Sequence, residues 1–174
     1  LGCFPLAPLG LHWRASELLI AAAIAGMNFL VFFLRWDPGS KDSLKSAAKA
    51  VGVVMQAMFV PILLPVTRRS VLLWVTHCSY ERAVFFHKWS GRWMVVLGLL
   101  HTLLMVLVYT AKGGAHGLFK EFTKFNILTG EVAFVLMLAI SLLALPWVRR
   151  RFYELFMKSH YVLFMLITGL SLLH

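Results

Sequence analysis

Long apolar stretches are the feature that most constrains this chain. Five of them, at roughly residues 18–34, 47–66, 85–109, 127–147 and 152–174, are almost free of charge. About 20 apolar residues at a rise of ~1.5 Å each cross a hydrocarbon core of ~30 Å, and few soluble helices need so long a run. Lipid offers no partner to a backbone amide, so such runs fold as helices that satisfy their own hydrogen bonds. The fold class expected is an all-α membrane protein, a multi-pass transmembrane helix bundle with five helices present. The chain opens on Leu1 and stops at His174 inside an apolar run, and it reads as a fragment of a longer protein.

Charge is interpreted in that light. A net charge of +10 on 174 residues would raise the question of nucleic acid, but 60% of the residues are hydrophobic and the mean hydropathy is +0.81. The basic residues therefore flank membrane spans, the lipid bilayer is the partner, and no nucleic acid is expected. A cytoplasmic N-terminus puts ten of the 17 Lys and Arg residues on the inner side, the orientation that the positive-inside rule favours. Residues 35–39, Arg-Trp-Asp-Pro-Gly, close the first span with an aromatic and a turn pair. Pro61 and Pro65 bend the second span, residues 70–82 read as irregular, and residues 112–126 read as a loop. Cys3 and Cys78 form no framework from which a redox compartment could be inferred.

Histidine placement carries the chemistry. His87 and His101 are fourteen residues apart on the third span, and His160 and His174 are fourteen apart on the fifth. Fourteen helical residues advance about 21 Å and return to within ~40° of the same face. Spans three and five cross in the same direction, so His87 shares a depth with His160, and His101 with His174. Two facing pairs at two depths are what two stacked bis-histidine b-type haems require. The stripe between the ligands holds Gly91, Met94 and Gly98 on one span and Phe164, Ile167 and Ser171 on the other. Of these, Gly91, Gly98, Phe164 and Ser171 are candidate haem-facing residues, the glycines because a flat macrocycle can approach a bare backbone. The competing interpretation is that membrane histidines bridge helices or relay protons, and that the glycines only pack. His12, His77 and His116 have no such partner.

Several segments resemble the ferric-reductase and NADPH-oxidase superfamily. Leu63-Leu64-Pro65-Val66-Thr67-Arg68 resembles the end of that family's second helix. Phe86-His87-Lys88-Trp89 and Leu100-His101-Thr102 resemble its third, and Arg150-Arg151-Phe152-Tyr153-Glu154-Leu155-Phe156 leading to His160 resembles its fifth. The likeness covers roughly residues 45–174. It implies a ferric-reductase-like transmembrane di-haem domain over residues 1–174, with iron ligated by His87, His101, His160 and His174. It also implies FAD and NADPH in a flavin domain elsewhere in the full-length chain, with electrons leaving through an outer haem. The resemblance also implies a sixth helix missing from the fragment. That helix and the family's flavin and NADPH domains are not among these residues, so the fragment alone is not expected to oxidise NADPH.

Departures from the oxidase branch point to the acceptor. Relatives that make superoxide usually carry arginine where Lys49 stands, histidine where Met105 stands, and one residue fewer between the fifth-helix ligands. Lys49 and Met105 are therefore candidate acceptor-pocket residues, and a ferric chelate is the favoured acceptor. Arg68 and Arg149 to Arg151 are equally explained as membrane anchors or as binders of carboxylate and phosphate. The other functions considered are a superoxide-producing NADPH oxidase, a quinol-oxidising cytochrome b, and a haem-free proton-relay channel or structural membrane protein. The favoured location is the plasma membrane, with an organelle membrane as the alternative.

Overall fold

The computed structural model describes residues 3–6, 11–64, 74 and 79–174. In chain order the elements are β1 (Cys3–Leu6), β2 (Leu11–Arg14), α1 (Ala15–Arg35), α2 (Ser43–Ala57), α3 (Phe59–Leu63), α4 (Tyr80–Phe122), α5 (Phe125–Leu143), α6 (Pro146–Arg151) and α7 (Tyr153–Leu173). Five helical stretches are long and apolar enough to cross a membrane: 18–35, 43–63, 80–114, 125–143 and 153–173. The expected helical membrane architecture is thus present, with one addition. The short strands β1 and β2 pair antiparallel, Cys3 opposite Arg14 and Leu6 opposite Leu11. Much of the helical surface is apolar and uncovered, Leu19 at 71% and Leu172 at 83% exposed. That surface suits lipid rather than water.

The chain divides into two compact units, Leu1–Met94 and Val95–His174. In the first, α1 packs on α2. Ala48, Ala50, Val51 and Val54 recur at helical spacing and are buried, giving α2 the single inward stripe expected of a packed helix. The turn between these helices is fastened by its own polar groups. The Gly39 amide donates to Asp37 Oδ1 at 3.0 Å, and the Asp37 amide donates to Ser46 Oγ at 2.8 Å. Phe29, Phe32, Phe33 and Trp36 form a chain of ring contacts at the end of α1, with centroids 4.4–5.8 Å apart. Trp36 thus sits where an interfacial aromatic is expected.

Proline accounts for two helix boundaries. The second span is two helices, and α2 stops at Ala57, four residues before Pro61, whose missing amide cannot bond the Ala57 carbonyl. The fourth span was expected to reach residue 147. Instead α5 stops at Leu143 and Pro146 opens the six-residue α6 at its first position, where a missing amide costs nothing.

The largest correction concerns residues 112–126. The expected loop is mostly helix, because α4 continues to Phe122 past a break at Gly113 and Gly114. Gly114 has φ 59° and ψ −155°, a conformation open almost only to glycine. The end of the second apolar run, residues 65–66, lies outside the described residues, as do Arg68, Arg69, His77, Cys78 and most of 70–82.

In the second unit α5 packs on α7, and both touch α6. Thr129, Ala133 and Met137 form the buried stripe of α5, with Ile167 buried on α7. Hydroxyls in these helices turn back on their own backbone, Ser141 to the Met137 carbonyl and Thr168 to the Phe164 carbonyl. Their polarity is therefore absorbed within the helix.

Candidate functional site

His101, on α4, and His174, which caps α7, meet in the second unit. Their ring centroids are 6.1 Å apart and their planes are perpendicular, at 90°. Two imidazoles on opposite sides of one metal, with metal–nitrogen bonds of ~2 Å, have centroids roughly 6 Å apart. The separation therefore matches a two-histidine axial pair.

Backbone carbonyls fix the tautomer of two of the four histidines. His174 Nδ1 lies 2.5 Å from the Asn126 carbonyl oxygen, and His87 Nδ1 lies 2.9 Å from the Ile62 carbonyl oxygen. A carbonyl only accepts, so Nδ1 carries the proton in each ring and the Nε2 lone pair is available to a metal. A ligating histidine commonly has this arrangement, its second nitrogen held by a carbonyl or carboxylate. The break between α2 and α3 helps, since Ile62 lies in the short helix that follows it. His87 belongs to the first unit and His160 to the second. The Nδ1 of His160 is buried, and its ring lies 5.1 Å from that of Phe156.

The other candidates are placed as follows. A Cβ on Gly91 would meet no atom within 4 Å, which suits close approach of a flat group. Gly98 is different: a Cβ there would collide with the side chains of Met137 and Phe134, so its bareness lets α5 come close. Phe164 is half-buried. Ser171 is half-buried too, and its hydroxyl donates to the Ile167 carbonyl at 2.7 Å. Lys49 is exposed on α2 and Met105 half-buried on α4. They belong to different units. His116 is exposed on the helical stretch after the glycine break. Among the described residues no three His, Cys, Asp or Glu side chains gather as an ion site, and a haem held by two axial histidines requires no such cluster.

Three groups beside these histidines were not found from the sequence. The Asn126 carbonyl and Gly130 touch His174, and the Ile62 carbonyl touches His87. A main-chain carbonyl leaves no mark in a sequence. The one available signal was the four-residue step from Asn126 to Gly130, which places both on one face of α5.

The family described as Ferric reductase like transmembrane component matches residues 51–170. Ferric reduction oxidase 2 of Arabidopsis thaliana is 30% identical over 71% of this chain and 17% of its own length. Probable metalloreductase AIM14 of Yarrowia lipolytica is 27% identical over 84% of this chain and 25% of its own length. Ferric reductase transmembrane component 6 of Saccharomyces cerevisiae is 31% identical over 66% of this chain and 16% of its own length. The chain therefore spans a quarter or less of the relatives it is compared with here. No solved structure matches it.

Proposed function

Because the chain belongs to the ferric-reductase-like transmembrane family, we propose that residues 1–174 are a membrane-embedded electron-transfer domain holding two b-type haems. His87 and His160 would ligate one iron, and His101 and His174 the other. One observation carries this reading: the His101 and His174 rings stand 6.1 Å apart while Nδ1 of His174 is held by a carbonyl. Iron held by two imidazoles would supply single-electron transfer at each pair.

The chain's own residues supply orientation and an apolar setting. The Asn126 and Ile62 carbonyls hold two imidazoles in the ligating tautomer. Buried Leu97, Val108, Ala133 and Ile167 keep the second unit apolar, which lowers the dielectric around transferred charge. The electron source we propose is NADPH through FAD, bound in a part of the full-length protein that these residues do not include.

The proposed acceptor is a chelated ferric ion. Stabilising superoxide requires donors aimed at the developing anion. At the positions where oxidases carry arginine and histidine, this chain has Lys49, a mobile point charge, and Met105, which donates nothing. Names such as ferric reduction oxidase and metalloreductase among the relatives support the same reading.

The test uses full-length protein in native-like membranes. A reduced-minus-oxidised spectrum should show six-coordinate b haem, and His101→Ala or His174→Ala should remove one haem while the other persists. Retention of both haems in both variants would overturn the ligand assignment. With NADPH supplied, ferric-chelate reduction should exceed superoxide-dismutase-sensitive cytochrome c reduction. The opposite result assigns the protein to the superoxide-producing branch.

A further inference from the structure

His174 follows Leu173, the last residue of α7. It is held from α5 on two sides. Its Nδ1 bonds the Asn126 carbonyl, and the same oxygen accepts the buried Thr129 hydroxyl at 2.8 Å. One turn further along α5, the ring lies against the bare Cα of Gly130. The three atoms nearest to a Cβ added at residue 130 would be Nδ1, Cε1 and Cγ of His174, the last at 3.0 Å. Real Cβ atoms do not come so close to a ring, so any side chain at this position must push the imidazole away. Gly130 is helical within α5, and no positive φ explains its identity. The close approach does.

We propose that Asn126, Thr129 and Gly130 form a seat on α5 that fixes both the rotation and the electron density of the His174 imidazole. The inference rests on the reading of His174 as an iron ligand and adds positioning residues to it. Gly130 sets the rotation, because its missing side chain leaves room for the ring in the orientation perpendicular to His101, which a Cβ would exclude. The shared carbonyl sets the electron density. A carbonyl oxygen that accepts from Nδ1–H makes the imidazole a stronger donor through Nε2, and Thr129 draws on the same oxygen. In its absence the carbonyl would pull harder on the Nδ1 proton, and the ferric state would be favoured.

The experiment uses full-length protein in membranes and reads spectra, midpoint potentials and the ferric low-spin resonance, whose largest g value reports the angle between axial imidazole planes. Gly130→Ala should shift that g value, or convert one haem to high spin, with the other haem unchanged. Thr129→Val keeps the shape and should lower the midpoint potential of the same haem without loss of haem. Gly169→Ala, on α7 with no atom within 4 Å of the added methyl, should change nothing. If Gly130→Ala fails to fold, pairing it with His174→Met should restore folding, because the flexible thioether relieves the clash. Unchanged resonance and potentials in Gly130→Ala and Thr129→Val, in a protein where His174→Ala does lose a haem, would overturn the seat. Failure to fold in both backgrounds would overturn it too, since the collision would then not be with the imidazole. Retention of both haems in His174→Ala would overturn the ligand assignment instead.

Discussion

An imidazole can ligate only through a nitrogen that carries no proton, so the group facing its other nitrogen matters as much as the metal. His87 and His174 each meet a carbonyl through Nδ1. Not every polar group is so provided for. Ser90 is fully buried and its hydroxyl oxygen has no hydrogen-bond partner among the described residues. Replacing such a group with an apolar one of similar size removes a desolvation cost of about 1–3 kcal/mol. Ser90→Ala should therefore leave thermal stability in detergent unchanged or raise it, and a clear fall would mean the hydroxyl has a partner in the membrane. Gly98 predicts the reverse. A leucine there would have to displace Phe134 as well as the flexible end of Met137. Overpacking of this kind costs about 1–3 kcal/mol, so Gly98→Leu should lower the melting temperature.

At the scale of elements, glycine and proline decide where helices end. Gly114→Ala places a Cβ at φ 59° and ψ −155°, a strain of about 1–3 kcal/mol. Gly113→Ala, at φ −156° with open space around the added methyl, should be tolerated. A pair of melting curves distinguishes the two, and equal stability of both variants would contradict the backbone assigned to the break. The same residues show what could be learned from the sequence. Five spans were legible because apolar runs of that length have one use, and the paired fourteen-residue steps gave the four candidate histidines because helical geometry is regular. The stretch after Lys112 misled because a Gly-Gly pair flanked by Lys and His has the composition of a loop. Nothing local shows that helix resumes on its far side. Pro146 was visible but was absorbed into an apolar run, although its missing amide ends one helix and opens the next. The carbonyls that hold His87 and His174 were beyond reach, since they depend on how helices meet rather than on which side chains they carry.

At the scale of the whole molecule, this chain should accept electrons without generating them. β2 runs directly into α1 at Ala15, with no glycine-rich turn of the kind that seats a dinucleotide. Dithionite should reduce the haems proposed for the isolated 174-residue chain, and NADPH with FAD should not. Rapid reduction by NADPH would contradict the division of labour proposed between this domain and a flavin domain. The glycine break in α4 bears on how that domain withstands its surroundings. His101 lies twelve residues, about 18 Å along the axis, before Gly113 on the same helix. A continuous helix would act as a lever, and any tug on residues 115–122 would be felt at the imidazole. Two glycines in succession behave as a swivel instead. Torque applied by an antibody fragment or a fused tag at exposed Phe119 or Lys120 should be dissipated at the joint, leaving the redox potential on the membrane side of it undisturbed.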